Sequence, residues 1–346
     1  MTITVNLQKH INDSYGIHMQ ELAPLAFSEK VAIITNPTVA DLHLEKLLKL
    51  VTAPSVKVVK IPDGEAYKTL ETIETILNEL FEQRLDRRST LIAFGGGVVG
   101  DMTGFCASIY QRGINFVQIP TTLLAMVDAS VGGKTGIDNK FGKNLIGSFY
   151  QPKAVYIDPF WLSTLPDREF GAGVAEIIKI AVTLDEEFFC WLESADLKNH
   201  EAIKEAIARS IELKADIVAQ DEKESGLRQV LNYGHTFAHV IELEGNYTEF
   251  LHGESVAIGM VMANNLAVNT GNLSHKDAAR IKHLLEKYDL PTSFSTSDPE
   301  QFYDSFFLDK KSHSGKITFV LPRTIGDYVF VDDAKKEWVL EAIKGE

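Results

Sequence analysis

Thr90-Leu-Ile-Ala-Phe-Gly-Gly-Gly-Val-Val-Gly-Asp101 is a short β-rich run that ends in clustered glycines and passes straight into a helical pattern. Gly95, Gly97 and Gly100 match GxGxxG in its strand–turn–helix setting. Such a turn lets backbone amides at a helix N-terminus approach a pyrophosphate. The ordinary dinucleotide fingerprint also carries an acidic residue ~20 positions on, at the end of the next strand. Here that region, Val117-Gln-Ile-Pro-Thr-Thr-Leu-Leu124, has no acid, so the match is partial. Asp101, one residue past the glycines, can accept hydrogen bonds from a ribose or a carboxamide.

Outward from that run the first half of the chain alternates. Val31–Thr35, Val56–Ile61, Phe116–Ile119 and Ala154–Ile157 are β-rich, and helical patterns such as Leu70–Arg84 lie between them. Alternation of this kind predicts βαβ units and a parallel sheet. After Pro166 nearly everything reads as helix, at about 171–183, 186–194, 200–220, 226–243, 253–269, 275–288 and 334–344. One strand-like run, Lys316–Leu321, is the exception. The 346 residues exceed what one core usually supports. The expected fold is a Rossmann-like α/β parallel-sheet domain over 1–164 followed by a mostly α-helical domain over 165–346, the two packed around one cleft. Asp63-Gly-Glu65 and Lys68 form a second polar turn at a strand end, where ligands of open α/β sheets gather. A solvated turn is the plainer reading of it.

With 45% apolar and 24% charged residues the composition is that of a globular protein. A net charge of −14 argues against nucleic acid and anionic membranes as partners, though local lysines can still receive a small anion. No apolar run approaches the ~18 residues of a membrane span, and no signal-peptide pattern opens the chain, so a cytoplasmic location is expected. Cys106 and Cys190 are far apart in apolar settings, form no CxxC pair, and read as core packing. Val131-Gly-Gly-Lys-Thr-Gly136 resembles a P-loop, but the glycine required five residues before Gly133 is Asp128.

The helical half carries polar groups in apolar surroundings. Glu176 lies in Ala172-Gly-Val-Ala-Glu-Ile-Ile-Lys-Ile-Ala-Val182, with Lys179 and Thr183 at i+3 and i+7. Arg228, Asn232, His235 and His239, spaced four, three and four apart, would line one face of a single helix. Unpaired buried polar groups cost roughly 1–3 kcal/mol each, so such a stripe predicts a site. Lys214 falls on an apolar stripe with Ile207, Ile211 and Val218, where snorkelling is the plain account. Two imidazoles and a carboxylate are the ligand set of a catalytic zinc with an open position. Glu176 and His235 are candidates, and spacing leaves the third ligand open between His239 and His252.

Pro62-Asp-Gly-Glu-Ala-Tyr-Lys-Thr69, the glycine turn, Gln111-Arg-Gly113, Pro120-Thr-Thr122, Val131–Gly136 and Gly142-Lys-Asn144 follow one another as in 3-dehydroquinate synthases. Leu165-Pro-Asp-Arg-Glu-Phe170, Gly173-Val-Ala-Glu176, Leu231-Asn-Tyr-Gly-His235 and His252-Gly-Glu254 continue the resemblance through most of the chain. The resemblance implies a homodimer that converts 3-deoxy-arabino-heptulosonate 7-phosphate to 3-dehydroquinate and phosphate. Transient oxidation by NAD, phosphate elimination, re-reduction, ring opening and an intramolecular aldol closure would be the steps. It further implies that Glu176, His235 and His252 hold zinc (or cobalt) and that His239 faces substrate. Implied NAD contacts are Asn36, Asp63, Gly64, Glu65, Ala66, Tyr67 and Lys68; Gly96, Gly97, Val98, Val99, Gly100 and Asp101; Thr121, Thr122, Lys134 and Lys143; and Trp161, Leu162, Ser163 and Thr164. Asn36 departs from the aspartate many relatives carry there. Implied substrate contacts are Asp128, Lys134, Asn144, Lys179, Lys214, Arg228, Asn232, His239 and Lys316, with Lys310 and Lys311 as alternatives to the last. Arg112 would reach the neighbouring subunit's site. A metal-dependent glycerol or alcohol dehydrogenase and another sugar phosphate cyclase are the rival readings; a dehydrogenase needs few anion-binding residues.

Overall fold

Val31–Thr35 and Thr90–Gly95 are buried along their whole length, as strands covered on both faces must be. The computed structural model describes residues 13–245, 248–308 and 317–345. Its longer strands are β1 (Gly16–Met19), β2 (Val31–Thr35), β3 (Val56–Lys60), β4 (Thr90–Gly95), β5 (Asn115–Pro120), β6 (Lys134–Asn139), β7 (Gly142–Phe149), β8 (Ala154–Ile157), β9 (Phe319–Thr324) and β10 (Asp327–Val331), beside a two-residue pair, Leu25–Ala26 with Val51–Thr52. A six-stranded, all-parallel sheet runs in the order β1-β8-β5-β4-β2-β3. The chain leaves β2 outward to β3 and returns to β4 on the other side, so a topological switch point opens between β2 and β4.

Successive residues of β2 and β4 feed two different cores. Ala32, Ile34, Leu91 and Ala93 pack with Ile73, Ile76 and Leu80 of α1 (Leu70–Glu82) and with Val99 and Met102 of α2 (Gly97–Ile109). Thr69 caps α1 by accepting from the Thr72 amide. Val31, Ile33, Ile92 and Phe94 belong instead to a core that continues into α3 (Asp167–Leu184), α4 (Glu186–Ser194), α5 (His200–Gln220), α6 (His235–Glu244) and α7 (His252–Asn269). Thus the later helices roof one face of the sheet. α8 (His275–Glu286), α9 (Pro299–Ser305) and α10 (Lys336–Lys344) pack outside them.

Several expectations are corrected. The helix read over 226–243 is two pieces, a 3-10 segment Leu227–Asn232 and α6, because Gly234 sits at φ +81° and breaks the hydrogen-bond ladder. A Cβ at Gly234 would also lie 2.8 Å from Met260 Cγ, so the break lets α6 lie against α7. The P-loop-like stretch leads into an antiparallel hairpin, β6–β7, absent from the periodicity reading. The strand-like run near 316–321 is half of a β9–β10 ribbon starting at Phe319, and β1 adds an edge strand that the sequence reading did not contain. Finally, Cys106 is buried as expected but Cys190 is exposed, with its sulfur 3.5 Å from an Arg280 guanidinium nitrogen.

Candidate active site

Glu176 stands in the middle of α3, every residue of which from Phe170 to Thr183 is buried. Neither of its carboxylate oxygens receives a hydrogen bond among the described residues, although the Lys179 ammonium touches Oε2 as an ion pair. The ammonium offsets part of the cost of burying this charge, and Oε1, without a hydrogen bond among the described residues, stays open to a further cation. α7 crosses α3 so tightly that a Cβ on Gly253 would sit 2.0 Å from the Ala172 carbonyl oxygen. That crossing brings His252, the first residue of α7, to 3.8 Å from Glu176 Oε1 through its Nε2. His235, the first residue of α6, has Nε2 3.9 Å from the same oxygen. One ligand atom each from Glu176, His235 and His252 lies within 4.8 Å of the others. The donor set and its spacing fit a zinc-sized ion. His239, a turn further along α6, has its ring centroid 5.8 Å from that of His235 and lies outside this group of three.

Both imidazoles are held from behind. His235 Nδ1 lies 3.3 Å from the Tyr233 carbonyl oxygen, and His252 Nδ1 lies 3.1 Å from Glu242 Oε1. Burial works against a charge on His252, but the Glu242 hydrogen bond and charge, with Glu176 behind them, hold its pKa above the ordinary value. Burial likewise opposes ionisation of Glu242, yet His252 and Lys143 bring its pKa down to about 2. An Arg168 guanidinium grips Glu254 with two bonds of 2.6 Å, and Glu254 Oε2 accepts from the Leu251 amide, fixing the start of α7 against that of α3.

Beside this cluster lies a pocket of buried cations. Lys214 is buried, not snorkelling, and donates to Asp128 Oδ1 at 2.5 Å and to the Asp128 carbonyl at 2.6 Å. Burial would raise the Asp128 pKa, but Lys214 and Lys179 hold it well below the usual carboxylate range. Arg228, 2% exposed, donates to the carbonyls of Gly132, at 3.1 Å, and Glu222. Arg228 and Asn232 reach this region from the 3-10 segment, not from the face of α6. Lys134, at the start of β6, pairs with Glu224, which also accepts from Asn232 Nδ2 at 2.6 Å. Glu224 was missed by the sequence reading; it lies in the acidic, exposed-looking Gln220–Ser225 turn, where nothing but the fold distinguishes it.

At the switch point, the glycine turn behaves as the strand–turn–helix reading expects. Gly96 caps α2 with no side chain of its own to occupy the amides, which suits a pyrophosphate. Asn36, at the end of β2, donates to Asp63 at 2.7 Å, and Thr38 reaches the other oxygen at 2.7 Å. Lys68 is buried rather than solvated, donating to Asp101 at 2.7 Å and Asn144 at 2.6 Å. Burial opposes its charge, but Asp101 and Glu65 raise its pKa above the ordinary lysine value. Gly64–Tyr67, Val98–Gly100, Thr121 and Thr122 line the same strand ends, and Trp161–Thr164 stand on the turn after β8. Arg112 is exposed beyond the far end of α2, roughly 20 Å along the helix axis from Gly97. Lys310, Lys311 and Lys316 lie outside the described residues.

Comparison with known proteins adds the family. The model for the N-terminal part of 3-dehydroquinate synthase matches residues 58–172, and that for its C-terminal part matches 173–312. A 3-dehydroquinate synthase from Sulfurovum sp. is 60% identical over 344 residues, covering 99% of this chain and 98% of that one. Among solved structures, 2-epi-5-epi-valiolone synthase from Streptomyces hygroscopicus subsp. jinggangensis, with NAD+ and Zn2+ bound, superposes with a TM-score of 0.89 at 29% identity, over 99% of both chains. A 2-deoxy-scyllo-inosose synthase holding carbaglucose-6-phosphate, NAD+ and Co2+ gives 0.80 at 25% identity, over 92% of this chain and 91% of that one.

Proposed function

We infer, from the premise that this chain belongs to the 3-dehydroquinate synthase family, that its cleft converts 3-deoxy-D-arabino-heptulosonate 7-phosphate to 3-dehydroquinate and phosphate. The observation that carries the assignment of the site is the burial of Lys179, Lys214 and Arg228 beside the Glu176–His235–His252 cluster. A substrate with a carboxylate and a phosphate needs several cations, whereas a simple polyol does not. That weighs against the glycerol or alcohol dehydrogenase alternative.

The sheet half, 1–164, is read as the NAD domain and 165–346 as the metal and substrate domain. NAD, when bound, supplies reversible hydride transfer, and zinc or cobalt acidifies a coordinated hydroxyl. Glu176, His235 and His252 would hold the metal. Asn36, Asp63, the Gly96–Asp101 turn, Thr121, Thr122, Lys143 and Trp161–Thr164 would hold the nucleotide. Lys134, Lys214 and Arg228 would neutralise the anionic ends of the substrate, with Asn144, Asn232 and His239 orienting its hydroxyls. Asp128, kept ionised by Lys214, fixes that lysine's position. Lys179, packed against Glu176 and 1% exposed, would place its charge where negative charge builds on the ring during elimination. The closed apolar walls of α3 and α7 keep water from intermediates. We read the protein as a cytoplasmic homodimer in which Arg112 completes the neighbouring subunit's site. Among the described residues no helix is long and apolar enough to cross a membrane.

The test is turnover. Purified protein given the heptulosonate phosphate and catalytic NAD should release phosphate and form dehydroquinate with no net NADH. Accumulating NADH from glycerol in place of that turnover would overturn the reading.

A further inference from the structure

Glu242 belongs to no motif the sequence singled out, yet it is 3% exposed and sits against both halves of the site. On α6 it follows His235 by seven residues and His239 by three, so all three share one helical face. Its Oε1 lies 3.1 Å from His252 Nδ1 and 3.1 Å from Lys143 Nζ, the latter on β7 of the hairpin. Its Oε2 is buried with no hydrogen bond among the described residues, an arrangement that costs stability and is found where function requires it. His252 Nε2, the other ring nitrogen, faces Glu176.

We propose that Glu242 is a positioning residue: it holds Nδ1–H of His252, so that Nε2 points at Glu176, and through Lys143 it ties that imidazole to the β6–β7 hairpin. The inference rests on the metal reading given above. A carboxylate behind an imidazole fixes the tautomer and ring angle, and its loss typically weakens metal affinity about 10- to 100-fold. The same oxygen meets a lysine from the sheet half, so the metal ligand and the hairpin cannot shift independently.

Metal-stripped wild type, Glu242→Ala and Glu242→Gln are titrated with Zn2+ against a chromophoric chelator, and their Co2+ forms compared by visible absorption. Affinity should fall about 10- to 100-fold in Glu242→Ala, with an altered cobalt band. Glu242→Gln, whose amide oxygen still accepts from Nδ1–H, should recover most of it. Wild-type affinity and band in Glu242→Ala, or no recovery in a folded Glu242→Gln, overturns the proposal. Nitrogen NMR of the zinc-loaded wild type gives an answer that depends on no variant: His252 must carry its proton on Nδ1, and a proton on Nε2 overturns the proposal as well. A wild type that binds no zinc would fail the metal reading itself, whereas zinc binding indifferent to Glu242 fails only this inference.

Discussion

Single side chains carry the chemistry, and each has a measurable worth. Glu176→Gln removes the one buried carboxylate of the metal cluster, so metal retained per chain after dialysis should drop towards zero while the helical circular dichroism persists. Stoichiometric zinc in that variant would remove Glu176 from the ligand set. Lys214→Met deletes a buried ammonium; a hydrogen bond to a charged group is worth roughly 1.5–3 kcal/mol, so kcat/KM should fall about 10- to 150-fold. Part of that loss comes from Asp128, which would keep its charge without its partner at 2.5 Å. A Lys214→Met enzyme at full efficiency would place the substrate anion elsewhere.

Elements decide which of these side chains meet. The α3–α7 crossing depends on Gly253, whose replacement by alanine would force a Cβ against the Ala172 carbonyl oxygen. Gly253→Ala should cost at least the ~1–3 kcal/mol of ordinary overpacking and lower the melting temperature by several degrees. The turn between α5 and the 3-10 segment is knotted by Asp221, which accepts from the Ser225, Gly226 and Arg228 amides at 2.8–3.0 Å. The Ser225 and Arg228 bonds lead in holding its pKa down to about 2, against ~3.9 when unfolded. The sign follows: the stabilisation is complete above about pH 4 and fades as pH falls through 2. Asp221→Asn should therefore loosen the Glu222–Gly226 turn, seen as faster proteolysis there at neutral pH, with the difference from wild type vanishing in acid. At this scale the sequence was readable where apolar spacing is regular: α4 and α5 begin and end where their patterns do. It was unreadable where a single dihedral matters, as at Gly234, because a pattern of period 3.6 runs through a glycine without revealing its φ. The β6–β7 hairpin was hidden for a related reason, its glycine-rich strands offering no apolar alternation. The Glu176–His235–His252 grouping was legible as residue types and implied by the resemblance; spacing alone left His239 and His252 open, and the α3–α7 crossing is what sets His252 beside Glu176.

At the scale of the whole molecule, Arg112 tests the proposed dimer. It is exposed, just past the C-terminal end of α2, and the homodimer reading gives it to the neighbouring subunit's site. Arg112→Ala should fold normally and lose activity, and mixing it with Glu176→Gln protein should restore turnover in the fraction of hybrid dimers. Mixtures that stay inactive at every ratio would remove the cross-subunit role. One face of the parallel sheet, lined by Val31, Ile33, Ile92 and Phe94, is finished only by helices supplied later in the chain. Synthesis on the ribosome therefore exports an open, greasy surface well before its cover exists. Such a nascent half should engage chaperones, and a gene split near codon 165 should yield insoluble product unless both pieces are made together.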